Sequence, residues 1–160
     1  MAAASTGEER FSYALVSAAP LQDTTATGIG IIFKAPDRST IKTICQALDH
    51  TDTTAALYEA VMRVLDEALT TGVGRPAIYV DDPQVVAQLN GEQPAPRELL
   101  ATNLRTRAVM NQVGRTRVIA ATASPRFSAR RLATSARSGA PREHETRGRQ
   151  LTLLPDDAAV

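Results

Sequence analysis

Four carboxylates between residues 52 and 82 are of a type that could share a metal ion or a proton: Asp52, Glu59 and the adjacent Asp81 and Asp82. Carboxylates converging on one point could hold Mg²⁺, which takes oxygen ligands in octahedral geometry. They could equally serve as a general acid and base. Their settings argue against a ready-made cluster. Asp52 falls in His50-Thr51-Asp52-Thr53, a helix-capping sequence, and Glu59 falls in the helical stretch that follows. His50 and His144 lie far apart with no metal-ligand spacing, and both read as solvated. Ser17, Ser124 and Ser128 stand in no nucleophile-elbow sequence. Cys45, the lone cysteine, sits in an alternating apolar segment and reads as a small buried hydrophobe. It excludes an internal disulfide and fits a reducing compartment. Gly28-Ile29-Gly30 lacks the third glycine and the following helix of a dinucleotide site, so it is a strand feature.

Arginine is the other chemistry on offer. Between Arg97 and Arg149 twelve arginines face three glutamates, a local charge of +9, whereas residues 1–96 carry −6. Asp156 and Asp157 bring the whole chain back to +1. A basic half joined to an acidic half suggests a surface that meets a polyanion, or else a solvated arginine-rich face.

The elements that must position these groups follow from periodicity. Phe11–Ser17, Gly28–Phe33 and Ser39–Ala47 alternate or run apolar and are joined by short turns, which predicts an antiparallel meander. Leu57, Val61, Val64, Leu65 and Ala68 then form an apolar stripe on a helix of about 18 residues. Glu59 stands two positions past Leu57, roughly 200° around that helix, and should face away from the strand ends. Ala77–Val80 is a short apolar strand suited to a sheet centre. Pro83 starts a helix over Gln84–Leu89, and Pro96 opens a longer one to about Gln112, with Leu100, Leu104 and Ala108 on one face. Arg117–Thr122 reads as a fifth strand and about Arg126–Ala136 as a last helix. Residues 1–10 and 139–160 lack periodicity and read as disordered ends around one domain at 11–138. At 43% hydrophobic residues a core is available, and with 4% aromatics it must be aliphatic. No apolar run approaches the roughly 20 residues that span a bilayer, and no signal pattern opens the chain, so a cytoplasmic protein is expected.

The order βββαβααβα is that of the ribonuclease H fold, and local residues resemble the ribonuclease H-like superfamily. Tyr79-Val80-Asp81-Asp82-Pro83-Gln84-Val85-Val86 through Leu89-Asn90-Gly91 is similar to the family's strand running into Ser-Asp-Ser-x-x-Val-Val and ending Asn-Gly. Asp52 to Ala60 resembles Thr-Asn-Asn-x-Ala-Glu-Tyr-x-Ala, keeping Ala56, Tyr58 and Ala60. Gly28-Ile29-Gly30 is similar to the family's Gly-x-Gly, and Ala129-Arg130-Arg131-Leu132-Ala133 to Ala-Asp-x-Leu-Ala. The resemblance spans about Phe11 to Ala136. It implies a five-stranded mixed sheet flanked by helices, with Phe11–Ser17 and Ala77–Val80 adjacent and parallel.

The resemblance also implies a chemistry: two Mg²⁺ ions, clamped by four carboxylates, hydrolyse a phosphodiester. Carried over, those positions fall at Ser17 (or Ala18 after a one-residue slip), Leu57, Asp81 and Arg130. Only Asp81 keeps its acid, so a catalytically degenerate member is expected, without a metal or other cofactor. Arg130 could reach Asp81 and stand in for the metals. A nucleic-acid-binding module is the first expectation, its ligand an RNA/DNA hybrid, a duplex or structured RNA. Its candidate contacts are Arg105, Arg107, Arg115, Arg117, Arg126, Arg130 and Arg131. Two alternatives stay open: a protein-interaction or assembly module meeting a partner or a second copy, and a divergent Mg²⁺-dependent ribonuclease H.

Overall fold

A computed structural model describes residues 10–22, 24–114, 116–121, 128–137 and 141–145. The chain forms β1 (Tyr13–Pro20), β2 (Thr27–Lys34), β3 (Thr40–Leu48), α1 (Thr53–Thr71), β4 (Ala77–Val80), α2 (Pro83–Leu89), a one-turn 3₁₀ helix (Arg97–Leu99), α3 (Leu100–Val113), β5 (Arg117–Ala120), α4 (Ser128–Thr134) and β6 (Arg142–Glu145). The strands make one mixed sheet in the order β5-β4-β1-β2-β3-β6. Short turns join the antiparallel β1, β2 and β3. Helical crossovers place β4 parallel to β1 and β5 parallel to β4. The two strands expected side by side thus pair in parallel, with Val16 opposite Val80.

One face of the sheet is apolar across its central strands, with Lys42 and Gln46 of β3 on the same side reaching Glu67 and Arg63 of α1. Ala14, Val16, Ile29, Ile31, Phe33, Ile78 and Val80 point from it into a cluster with Leu57, Val61, Val64 and Leu65 of α1. Helix α1 starts where the Asp52 carboxylate accepts the Ala55 amide hydrogen at 2.8 Å, and stops at Gly72 with φ +75°. The stripe expected for it is buried at every position.

The opposite face is built from small residues where α4 lies directly on it, over the ends of β1 and β2. Ser17 pairs with Gly30 and Ala19 with Gly28 across β1 and β2, so these four side-chain positions share that face. A Cβ added at Gly30 would stand 2.3 Å from the Ala129 carbonyl oxygen, and one at Gly28 2.0 Å from that of Ala133. The two glycines are therefore the condition for α4 to approach.

Two expectations need correction. The sheet has six strands, not five: β6, in the segment read as a tail, pairs antiparallel with β3. All four β6 residues, Arg-Glu-His-Glu, are polar and exposed, so no apolar alternation marks the strand. Backbone pairing holds it, together with Lys42, whose ammonium lies 3.4 Å from Glu143 and 3.1 Å from Glu67 of α1. Second, α3 does not pack through Leu100, Leu104 and Ala108. All three are exposed, and Asn103, Thr106, Met110 and Val113 are buried instead. The reason is a polar network beneath α3. Tyr58 donates its hydroxyl hydrogen to Gln88 Oε1 at 2.7 Å, and Asn103 Nδ2 donates to the Tyr58 hydroxyl and the Gln88 carbonyl at 2.9 and 3.1 Å. A buried amide with partners belongs inside as well as a leucine does.

Candidate functional site

At the carboxyl end of β4 the chain turns out of the sheet, and its two adjacent aspartates diverge. Asp82 caps α2, accepting the Gln84 amide hydrogen at 2.9 Å. Asp81 turns inward until its side chain is only 2% exposed. Its Oδ2 accepts the Ser17 hydroxyl hydrogen at 2.7 Å from the neighbouring β1 and takes the Arg130 Nη1 at 3.3 Å from α4. Ser17 is fully buried, and Arg130 leaves 47% of its side chain in solvent. A buried carboxylate is tolerated when paired and hydrogen-bonded, and here one oxygen receives both partners.

Three of the four positions named above thus meet. Gly30 has a part in this: it admits α4 beside Ser17, and α4 carries Arg130 to Asp81. Ala18, the alternative position on β1, points to the other side and is buried in the apolar cluster. Leu57, the fourth position, is 2% exposed and packs in that same cluster.

The donor set does not suit Mg²⁺. One carboxylate, a hydroxyl and a guanidinium meet at this point, and the guanidinium repels cations where octahedral oxygen ligation would be needed. The other acids are engaged elsewhere. Asp52 and Asp82 cap helices, and Glu59 lies 3.5 Å from Arg63 one turn along α1. Among the described residues no group of three His, Cys, Asp or Glu side chains converges.

The candidate arginines do not form one surface. Arg130 and Arg131 ride on α4 over the small-residue face. Arg105 and Arg107 are exposed on α3, which packs against α1 and α2 on the other side. Arg117 is exposed on the edge strand β5. Arg115 and Arg126 lie outside the described residues, as does the Ala123-Ser124-Pro125 segment. Cys45 is buried, with Sγ 3.2 Å from the Arg142 guanidinium, and His50 contacts Thr25 at 3.2 Å on the surface. Residue types alone did not disclose Ser17 as a partner of Asp81, or the Tyr58, Gln88 and Asn103 network. The available signal for the network was Gln88, set between Val85 and Leu89 on the apolar side of α2.

Burial pushes the Tyr58 hydroxyl above its ordinary pKa, against the opposing pull of the Asn103 hydrogen bond and the nearby Arg107 guanidinium. Lys42 is partly buried, which lowers its pKa, yet Glu67 and Glu143 outweigh that and hold it above the ordinary lysine value.

No protein-family model matches the chain, and no curated protein matches it by sequence. Solved structures do match. The N-terminal ribonuclease H domain of a Mycobacterium tuberculosis protein, solved fused to maltose-binding protein, aligns at TM-score 0.65 and 23% identity over 78% of this chain and 93% of that one. Ribonuclease H1 of the halophilic archaeon Halobacterium salinarum aligns at 0.60 and 18% identity over 76% and 89%. LC11-RNase H1, isolated from compost and solved with an RNA/DNA hybrid, aligns at 0.63 and 17% identity over 78% and 94%. Among the described residues no helix is long and apolar enough to cross a membrane. With six strands in this order, helices on both faces and these neighbours, the chain has the ribonuclease H-like fold.

Proposed function

We propose that this domain binds nucleic acid through the arginines beside Asp81 and does not cut it. The observation that carries the reading is Arg130 meeting Asp81 at 3.3 Å while half of its side chain stays in solvent. A guanidinium has five N–H donors. One is spent on Asp81, and others remain for a phosphate oxygen. The pair is close to neutral, so a phosphate approaching it meets no uncompensated carboxylate. Arg131, exposed on the same short helix, extends the basic surface. Phosphate contacts of this kind give affinity without reading sequence. LC11-RNase H1 was solved holding an RNA/DNA hybrid, which makes a hybrid the first ligand to try, beside duplex DNA and structured RNA. Cleavage would need carboxylates that Ser17, Leu57 and Arg130 do not supply.

Salt-titrated binding tests the proposal. With three to four phosphates neutralised, log K should fall against log salt at a slope near −3 to −4 on duplex DNA, and Arg130→Ala with Arg131→Ala should flatten that slope by about 2. Arg105→Ala, on the other side of the sheet, should change it less. Failure to bind any form at about 50 mM salt, where phosphate contacts are strong, would overturn the reading. So would Mg²⁺-dependent cleavage abolished by Asp81→Asn. A second reading, a protein-interaction module, is favoured by one observation only: the exposed leucines of α3.

A further inference from the structure

Two opposite charges share one cleft without pairing. The cleft lies between α3 and the loop after α2, holds about 240 Å³, and is lined by both Glu92 and Arg107. They do not reach each other, and neither forms an ion pair with any described residue. The Arg107 guanidinium lies over the loop, so near Gly91 that a Cβ added there would stand 2.8 Å from its Nη2. Leu100 and Leu104, exposed by 50% and 56%, give the same cleft an apolar wall.

A buried amide adds a third polar group. Asn103 also lines the cleft, although only 3% of it is exposed. Its Nδ2 donates to the Tyr58 hydroxyl and to the Gln88 carbonyl. That carbonyl can only accept, so the network fixes which end of the amide turns inward. Asn103 Oδ1 accepts from no described residue. Among the described residues the sealed side-chain polar atom without a partner is Thr116 Oγ1, so Asn103 Oδ1 is not sealed: it opens on the cleft. Leu100, Asn103, Leu104 and Arg107 stand at i, i+3, i+4 and i+7 and share this face of α3.

These groups set what a ligand must carry. Arg107 asks for an anion, a carboxylate or phosphate. Glu92 asks for a cation, and Asn103 Oδ1 for an N–H or O–H donor. The leucines ask for aliphatic carbon. A phosphate chain satisfies Arg107 alone and is repelled by Glu92. A metal ion satisfies Glu92 alone and is repelled by Arg107. A zwitterion with an apolar side chain satisfies all of them at once.

We propose that this cleft binds a free aliphatic α-amino acid, its carboxylate on Arg107, its ammonium shared by Glu92 and Asn103 Oδ1, and its side chain against Leu100 and Leu104. The cleft is smaller than the ~300–1,000 Å³ of sites for drug-sized ligands, and so small a ligand should bind with a dissociation constant of about 1 mM. Titrating the full-length protein with free leucine, followed by nuclear magnetic resonance, tests the assignment. Saturable shifts are expected at the Leu100 and Leu104 methyls, Asn103 Nδ2 and Arg107 Nε, while the Val16 and Val61 methyls in the core stay in place. Isocaproate lacks the ammonium, isoamylamine the carboxylate and glycine the side chain; each should bind about tenfold more weakly than leucine. Arg107→Met should weaken leucine by a similar factor and leave isoamylamine unchanged. Glu92→Gln should weaken leucine and leave isocaproate unchanged or tighter. The proposal is overturned if about 10 mM leucine gives no saturable shift at these groups, if isocaproate binds as well as leucine, or if neither variant changes the affinity for leucine.

Discussion

Substituting Gly30 with alanine is the sharpest probe of how α4 reaches the site. The new Cβ would stand 2.3 Å from the Ala129 carbonyl oxygen, 2.7 Å from the Ala133 nitrogen and 2.9 Å from Leu132 Cβ. Two of these are backbone atoms of a helix, which cannot rotate away as a side-chain tip can. Ordinary contact begins near 3.4 Å, so α4 must retreat by about 1 Å. Overpacking of this kind costs about 1–3 kcal/mol, and backbone obstruction places it toward the upper end. Alanine's lower conformational entropy in a strand returns roughly 0.5–1 kcal/mol, leaving a net loss of about 2 kcal/mol. At about 3–5 °C per kcal/mol for a domain of this size, Tm should fall by about 6–10 °C. The retreat would also draw Arg130, next to Ala129, away from Asp81. Thermal unfolding followed by circular dichroism measures the loss, with Gly74→Ala as control. A Cβ there meets nothing within 4 Å, and Tm should move by no more than about 2 °C. A Gly30→Ala protein that melts within 2 °C of the parent would refute the account of α4 packing.

Three further outcomes are expected. In a double-mutant cycle, Asp81→Asn and Arg130→Ala should couple by about 1 kcal/mol in urea unfolding, a modest value because Arg130 is half exposed; Arg130→Ala alone should exceed Asp81→Asn alone, because it leaves a buried charge. Tyr58→Phe should cost about 1–3 kcal/mol, since Gln88 Oε1 loses its donor inside the core. The raised pKa values of Tyr58 and Lys42 mean that the folded state keeps protons the unfolded chain has released. Stability is therefore whole below about pH 10 and falls as pH rises beyond it; a pH series of Tm values checks this, and Tyr58→Phe should make the alkaline fall shallower.

How far the sequence discloses this molecule depends on what each element leaves as a trace. β4 is legible to the residue because Ala77–Val80 is buried except at the half-buried Tyr79 and shows as an unbroken apolar run. α1 is legible because its stripe keeps helical spacing from Leu57 to Ala68, about three turns. α3 is misleading. Its leucines lie outward while Asn103 and Thr106 lie inward, since packing there is decided by hydrogen bonds to Tyr58 and Gln88, groups 45 and 15 residues away from Asn103. β6 leaves no trace, being an exposed edge strand whose partner is chosen by backbone pairing and by Lys42. At the site, Asp81 and Arg130 could be matched only through the family resemblance, because 49 residues separate them. Ser17 likewise is placed there only through the resemblance; it lies beside Asp81 because β1 pairs in parallel with β4, Val16 opposite Val80, a long-range fact that no local pattern encodes.

On the proposed reading, with an internal ion pair where the resemblance implies metal-binding acids, a last prediction concerns Mg²⁺. A cluster of carboxylates stores repulsion that only bound cations relieve, so such a site ties stability to metal. Here Arg130 supplies a positive charge within 3.3 Å of Asp81, and the folded state has no comparable debt to settle. A cation site filled at about 100 times its dissociation constant would add ~2.7 kcal/mol, or about 8–13 °C in Tm. For this protein the expected shift on adding Mg²⁺ is within about 1 °C. Ser17→Asp with Arg130→Asp should reverse that behaviour. Ser17 Oγ already lies 2.7 Å from Asp81 Oδ2, so the double variant would crowd three carboxylates at the end of β4. Without metal it should melt well below the parent, and Mg²⁺ should recover part of the loss. If instead the parent gains several degrees from Mg²⁺ and the gain disappears in Asp81→Asn, the pair is not the substitute for the metals that its geometry suggests.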